Sequence, residues 1–413
     1  MKLLGRLARF AIQLAAAGLL SSSGSAYAQD LPVRPLTWAG GRVTLGGDAS
    51  LTFSCSDAPT PGTCGEDTGF FNYSDYELST LRMLRIDMKA AVRPSAHLAL
   101  VGEVRSENGE GVHAYALYVG LRPWQDKAFE IEAGRVPPTF GAFAQRTYAN
   151  DNILIGYPLS YQYLTSIRPD AVPANADELL AMRGRGWLAH YSLGNTTPDR
   201  GTPIDSAFRW DTGVAVRSKT SWAEVTASVT TGTLGNPLVA DDNAGKQLSG
   251  RVAFHPVPGL IVGASGARGP FLTRDAARSA GMTSTNDSVQ SALGADVEYS
   301  RDYYLLRVEA IRSDWTLPTI NVPLTSLGIT AEGRYRFTPR LYAAARYDHM
   351  GFSTIAGTTR VTSWDAPVTR AEAGGGYLVT RNLQLKSSVQ LNQRDGGRVT
   401  HLMLWAAQAV FWF

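Results

Sequence analysis

The chain ends in the stretch HLMLWAAQAVFWF, residues 401–413, whose pattern decides the fold. Counting back from Phe413 in steps of two, every side chain as far as Met403 is apolar. A period of two is that of a β-strand, in which successive side chains point to opposite faces. A tilted strand of this length can cross a membrane, because about 9–11 residues suffice. A buried strand of a soluble sandwich is the alternative, but few soluble domains end abruptly on three aromatic residues.

Segments upstream of this strand repeat its alternation. In the segment 382–394, Leu383, Leu385 and Val389 share one face, while Lys386 and several amide side chains share the other. No stretch approaches the ~18 consecutive apolar residues of a membrane-spanning helix. In lipid, only helices and closed barrels satisfy every backbone polar group. The apolar face would therefore contact lipid and the polar face would line a lumen, which is the inverse of a soluble barrel.

The connections between these segments alternate in length. Thr338-Pro339 and Thr380-Arg381 are very short, whereas the loops at 269–286 and 353–366 are long. Short periplasmic turns and long external loops are typical of outer-membrane barrels. The sequence therefore predicts an all-β fold, a transmembrane antiparallel β-barrel of about 16 strands with both termini periplasmic. The predicted strands are 41–53, 75–92, 97–106, 111–122, 127–135, 208–218, 221–234, 246–255, 259–268, 287–300, 303–316, 324–337, 340–352, 367–379, 382–394 and 398–413.

Aromatic residues crowd the short turns of the predicted barrel. Rings of this kind belong at the boundary between hydrocarbon and water, where their polar atoms can reach solvent. We therefore expect a periplasmic girdle made by Trp222, Phe254, Tyr299, Tyr303, Tyr304, Tyr335, Phe337, Tyr342 and Tyr377.

The first residues predict export. Lys2, Arg6 and Arg9 precede a mostly apolar run at 10–20, and Ala26-Tyr27-Ala28 places small residues where signal peptidase reads them. This pattern predicts a cleaved signal peptide over 1–28 and a single barrel domain over 29–413. A membrane anchor is the alternative, but the apolar run is too short to span ~30 Å as a helix. The formal charge of +3 disappears with the signal, and the chain contains no block of basic residues. Binding of nucleic acid is therefore not predicted.

The alternation stops at residues 136–207, between the fifth and sixth predicted strands. A loop of this length without secondary structure is usually functional. Residues 134–141, GRVPPTFG, predict a fixed bend at its start. Asn175 predicts the N-cap of a short helix at 175–183, with Glu178 three residues later as in a capping box. The segment 187–193 also reads as a strand, and would either raise the strand number to eighteen or lie within the loop.

The strand number, the loop order and the terminal aromatic strand resemble the porin superfamily. Residues 134–141 are also similar to the strand-to-loop junction of phosphate-selective-type porins. The resemblance implies that the long third external loop folds into the lumen and narrows the pore, and that the protein is a homotrimer. It also implies that Trp405, Phe411 and Phe413 form the signal read by the barrel-assembly machinery. The third loop has no run of lysines or arginines, so phosphate selectivity is not predicted.

Charged residues of both signs alternate into the predicted lumen. The candidate pore-lining residues are Arg85, Lys89, Arg105, Arg334 and Arg346 on the wall, and Arg146, Asp151, Arg168 and Asp170 in the third loop. One interpretation is a transverse field that orients polar solutes at a narrow eyelet. The other is that these charges pair between neighbouring strands and stabilise the wall. The third loop could likewise constrict the pore or cap its outer rim.

The two cysteines, Cys55 and Cys64, lie close together in the first predicted external loop. In an oxidising periplasm this pair predicts one disulfide, with two free thiols as the alternative.

The sequence contains no catalytic motif that favours an enzyme. It has no Gly-x-Ser-x-Gly, no His-Glu-x-x-His and no phosphate loop, and its six histidines lack metal-ligand spacing. We therefore expect a porin in the outer membrane of a Gram-negative-type bacterium, through which small hydrophilic solutes or ions diffuse without a cofactor. Two alternatives stay open: a barrel that sheathes a partner protein such as a redox conduit, and an outer-membrane hydrolase. No Cys-x-x-Cys-His haem motif occurs, so a conduit would take its cofactor from the partner.

Overall fold

The computed structural model describes residues 35–57, 84–107, 111–124, 126–143, 146, 148–206, 210–238, 240–243 and 245–413. The predicted signal peptide and Cys64 lie outside these residues. Within them, sixteen antiparallel strands form one closed barrel, as predicted. The strands are β1 Val43–Ser56, β2 Leu84–Val92, β3 Leu98–Glu107, β4 His113–Leu121, β5 Ala128–Val136, β6 Asp211–Lys219, β7 Ala223–Thr230, β8 Gln247–Val257, β9 Leu260–Pro270, β10 Val289–Arg301, β11 Tyr304–Trp315, β12 Leu324–Arg336, β13 Leu341–Phe352, β14 Val368–Leu378, β15 Leu383–Arg394 and β16 His401–Trp412.

The barrel closes between its first and last strands. β1 pairs with β16 from Asp48 opposite Trp412 to Ser56 opposite Leu404. The backbones of Gly47 and Phe413 extend this ladder with two reciprocal hydrogen bonds of 3.0 and 3.1 Å. Closure satisfies the polar groups that a free sheet edge would expose, and a lipid environment demands this.

The remaining elements lie in the connections. They are the helices α1 Leu159–Gln162, α2 Ala176–Ala181 and α3 Arg274–Ser279, single 3₁₀ turns at Ala39–Gly41, Gly186–Leu188 and Thr285–Asp287, and short strands at Leu36–Trp38, Ala171–Val172, Leu193–Gly194, Thr354–Ala356 and Val361–Ser363. The segment 187–193 does not join the barrel, because Leu193–Gly194 pairs with Ala171–Val172 inside the third loop. The eighteen-strand alternative is therefore wrong for the described part of the chain.

The outer surface of the barrel is apolar and its inner surface is polar. Along β13, Leu341 and Tyr347 are exposed on the outside, whereas Arg346 and Asp348 are buried on the inside. Aromatic rings cluster at the short turns, with Trp222 stacked on Phe254 and Tyr304 close to Tyr335. No helix in the described ranges is long and apolar enough to cross a membrane.

Tyr342 is an exception to the predicted aromatic girdle. It follows the outward Leu341, so the alternation turns its ring into the barrel, where it is 7% exposed. Its hydroxyl donates to the carbonyl of Ile153 in the third loop at 3.0 Å.

The largest apolar core lies inside the barrel. Its wall residues include Ile311, Trp315, Met350 and Leu404, which point inward near the long-loop ends of their strands. The loops supply the remaining side chains, among them Trp364, whose ring lies 5.8 Å from that of Trp315. The core therefore fills part of the lumen at the long-loop end, where an open channel would otherwise be wide.

Candidate functional site in the barrel lumen

The third loop, residues 137–210 between β5 and β6, enters the lumen and follows its inner wall. Thr139 Oγ1 lies 2.8 Å from the Ser228 hydroxyl and 2.7 Å from the Ser249 hydroxyl, on β7 and β8. The Gly141 amide then donates to Ser265 on β9 at 3.1 Å. These polar contacts to successive strands mean that the loop starts against the wall and not over the rim.

Gly141 makes the tight bend that follows. Its φ of +72° lies in the left-handed region that favours glycine. A Cβ here would lie 2.3 Å from the Tyr161 hydroxyl, so the position also lacks space. Tyr161 donates to Glu309 on β11 at 2.9 Å, and the Ala142 amide donates to the same carboxylate at 2.6 Å. Burial raises the pKa of Tyr161 well above its usual value, so its hydroxyl keeps the proton that it donates.

The middle of the loop is anchored to the opposite wall through its backbone. Arg346 and Arg370 donate to the carbonyls of Gly156 and Tyr157. In return, the Gly156 amide donates to Glu372 at 3.1 Å, and the Leu159 amide donates to Asp348 at 3.4 Å. The wall thus satisfies backbone groups that would otherwise be buried without partners.

Ion pairs between neighbouring strands hold these wall arginines in place beside the loop. Arg346 lies between Glu332 and Glu372 on the neighbouring strands, at 2.8 and 3.4 Å, and Arg370 lies 2.8 Å from Asp348. Both guanidinium groups are almost fully buried. A buried ion pair needs further hydrogen bonds to offset its desolvation, and the loop carbonyls provide them.

A third group of contacts connects the loop to the remaining lumen wall. Lys386 on β15 donates to the Asn152 carbonyl at 2.5 Å and to that of Ala149. Tyr148 donates to Glu103 at 2.6 Å, and its ring lies 2.9 Å from the Lys89 ammonium group. The loop is therefore fixed to strands on several sides of the barrel.

Two chambers lie between the loop and the short-turn half of the wall. The first, of about 360 Å³, is bounded by strands β7 to β12 and by Phe143, Arg146 and Asp151 of the loop. Arg146 lies 3.4 Å from Glu332 and 3.9 Å from Glu298 in its wall. The second, of about 200 Å³, lies between the loop tip and strands β12 to β16, and Asp151 borders it too.

The other predicted wall residues, Arg85, Arg105 and Arg334, also lie on the inner surface of the barrel. Arg85 donates to the Tyr157 hydroxyl at 2.6 Å, and Arg105 pairs with Asp87 and lies over the Tyr115 ring. Arg334 is half-buried beside the second chamber.

Arg168 and Asp170 have their partners inside the third loop. The buried Arg168 guanidinium lies 2.8 Å from Asp170 and donates to the carbonyls of Ala189 and Thr197. Two nearby loop charges also have loop partners. Asp177 accepts from the Thr358 amide at 2.9 Å, and Glu178 accepts from the Ser192 amide at 2.7 Å. These charges therefore hold the loops together and do not face the wall arginines across an eyelet.

The predicted capping of α2 is present in modified form. Asn175 accepts from the Glu178 amide at 3.0 Å, as predicted. The Glu178 carboxylate binds the Ala174 amide, one residue earlier than a capping box requires.

Two buried loop carboxylates were not found from the sequence. Asp365 accepts from the amides of Ser166 and Gly184, both at 2.7 Å, and so fastens the loop between β13 and β14 to the third loop. Asp205 is also fully buried and lies near Glu309. Burial raises the pKa of both carboxyls. Neither residue belongs to a periodic segment, so no sequence signal singled them out.

The comparisons establish the fold by structure alone. No protein-family model and no curated protein matches the sequence. An anion-selective porin from Comamonas acidovorans is similar at a TM-score of 0.57 and 10% identity, over 90% of this chain and 99% of that chain. Salmonella typhi OmpF in complex with daunomycin is similar at a TM-score of 0.55 and 12% identity, over 90% of this chain and 97% of that chain. Outer-membrane expressed OmpT of Vibrio cholerae is similar at a TM-score of 0.54 and 11% identity, over 92% of this chain and 100% of that chain. The chain therefore has the porin fold.

Proposed function

We propose that this protein is an outer-membrane porin through which small hydrophilic solutes or ions diffuse passively. One observation supports this function above all: a long loop is held across the lumen of a barrel that is polar inside and apolar outside. A sixteen-stranded barrel is wide enough for an aqueous channel, and the loop reduces that width to chambers the size of small solutes.

The same observation disfavours the sheath for a partner protein. The third loop and the apolar core occupy the space that a partner chain would need. A hydrolase has no specific observation in its favour.

The outer surface supports the membrane location. Large apolar side chains such as Leu51, Leu293, Leu306 and Leu391 are more than half exposed on the outward faces of their strands. Exposure of this extent is costly in water and favourable in lipid.

We further propose a homotrimer, as the OmpT of Vibrio cholerae is described in a trimer form. The outward face of β13 to β16 supports a contact here, because small side chains lie opposite one another: Ala345 by Ala373, Gly375 by Ser387, and Ser387 by Ala407. An Ala373→Phe variant should dissociate in native mass spectrometry. Ala227→Phe, on the outward face of β7, should stay trimeric. A monomeric wild type, or two variants that behave alike, would refute this contact.

Planar-bilayer recording of the purified protein tests the proposed function. Stepwise increases of ohmic conductance are the expected result. A folded barrel that inserts without conductance would contradict a diffusion pore and return the sheath and hydrolase alternatives to consideration.

A further inference from the structure

The second chamber is bordered by three arginines that form no ion pair with the described carboxylates. Arg334 and Arg336 point into it from the periplasmic end of β12, and Arg340 borders it from the turn to β13. Among the described residues, none of the three has a carboxylate within ion-pair distance. The buried Arg334 Nε also lacks a hydrogen-bond partner there.

This arrangement differs from the rest of the lumen wall. Arg217 lies 3.0 Å from Glu132, Arg251 lies 2.5 Å from Asp296, and Arg307 lies 2.8 Å from Glu298. Arg346 and Arg370 are paired in the same way. These five described wall arginines therefore differ from the three that border the second chamber.

The strand register explains why these charges are unpaired. Glu332 lies opposite Arg307 on one neighbouring strand and Arg346 on the other. Two residues further along, Arg334 lies opposite Leu305 and Ala344, which cannot neutralise it. Arg336 then adds a second positive charge on the same face of the same strand. Like charges so close together repel each other, and the nearest compensating group in the sheet is the Tyr342 ring, 5.8 Å from the Arg334 guanidinium.

The rest of the chamber suits a small polar molecule. Its volume of about 200 Å³ accommodates one small organic anion, and Asn150, Gln384 and Trp412 line it beside the arginines. Asp151 is the single carboxylate among its described lining residues. Arginine forms charge-assisted, often bidentate hydrogen bonds with carboxylates and phosphates.

We propose that this chamber is a binding site for small solutes that carry a carboxylate or phosphate group, at the periplasmic end of the diffusion path. This rests on the proposed function in so far as the solute is one in transit. Arg334 and Arg336 hold the anionic group, and Arg340 attracts it from the periplasm.

Isothermal titration calorimetry of the full-length mature protein in detergent tests the site directly. The probes are inorganic phosphate and citrate, with glucosamine as a cationic control. We expect phosphate, citrate or both to bind the wild type, and the Arg334→Gln/Arg336→Gln variant to bind at least about tenfold more weakly, because it loses the charge-assisted hydrogen bonds of two arginines. Arg381→Gln, an exposed arginine at the same end of the barrel and outside the chamber, should bind as the wild type does. Asp151→Asn should bind more tightly.

The outcomes separate the site from the pore. Binding of phosphate alone or of citrate alone identifies the group that the site prefers. Lack of binding by both anions, equal binding by the double variant, or equal binding of glucosamine would overturn the proposal. Blockade of single-channel current by the same anions, reduced in the double variant, would place the site on the conducting path. Anion binding by a barrel without conductance would refute the proposed function but support the binding site. Conductance without anion binding would support the proposed function but refute the binding site.

Discussion

At the residue scale, Arg370 shows how one side chain holds the third loop. It is fully buried, pairs with Asp348 at 2.8 Å and donates to Gln162 and to the Tyr157 carbonyl. Its inward direction follows from the alternation of side chains along β14. Its loop partners were not predictable, because the path of a loop follows no period.

Replacing Arg370 by Met should loosen the loop and destabilise the barrel. Removing one partner of a buried pair leaves Asp348 uncompensated, which costs about 3–5 kcal/mol. We expect a lower urea midpoint and noisier single-channel current. Arg312→Met, at an exposed position next to Asp314, is the control, and an equally small effect of both substitutions would show that Arg370 is not an anchor.

Asp205 predicts how stability depends on pH. Burial, together with the nearby Glu309 carboxylate, raises the pKa of Asp205 well above its usual value. The native state therefore binds this proton more tightly than the unfolded chain, in which an aspartate has a pKa of about 3.9. Its contribution to stability is complete below that pH and is lost as the pH rises through the raised native pKa.

The Asp205→Asn variant should lose part of this dependence and should be more stable than the wild type near neutral pH. Unfolding temperatures between about pH 4 and pH 8 measure the effect. Asp275→Asn, at a side chain that is 89% exposed, should follow the wild type. A pH profile of Asp205→Asn identical to that of the wild type would show that Asp205 does not titrate as inferred.

The Cys55–Cys64 disulfide remains a prediction, because only Cys55 lies among the described residues, near the end of β1. The loop that it would close is short, so the expected gain is about 2–3 kcal/mol in the chain-entropy model. Mass spectrometry of non-reduced digests should find the linked peptides. Two free thiols in the secreted protein would exclude the bridge.

At the element scale, the strands were predictable because each has one apolar face and one polar face. Strand β13, predicted at 340–352, is observed at Leu341–Phe352. The elements inside the loops were harder. The helix α2 has a cap signal in Asn175, whereas the segment 187–193 has alternating residues but folds inside the loop as a 3₁₀ turn and a two-residue strand. Local alternation cannot distinguish these outcomes, because tertiary contacts decide between them.

Deleting Phe413 should impair assembly of the barrel. Its backbone exchanges two hydrogen bonds with Gly47 at the closing seam, and by resemblance it is also read by the barrel-assembly machinery. We expect exported protein with little of the folded, heat-modifiable form on gels. Insertion at the wild-type level would mean that the terminal residue serves neither purpose.

At the scale of the whole molecule, the strand number and the position of the long loop were predictable, but the filling of the lumen was not. Trp315 and Trp364 meet in the core although nearly fifty residues separate them in the sequence. Such contacts depend on barrel curvature and on several loops at once. The pairing of wall charges was one of the two interpretations that the sequence allowed, since inward residues of neighbouring strands lie opposite one another.

The most direct test of this account is the conductance of a barrel whose third loop has been shortened. Residues 145–182 would be replaced by a short glycine-serine linker, and the same linker would be inserted at the exposed turn Thr380-Arg381 as the control. We expect the first variant to conduct more per channel than the wild type and to admit larger sugars, while the control keeps the wild-type values. Unchanged conductance and size limit in a folded barrel without residues 145–182 would contradict it and would make the third loop a cap.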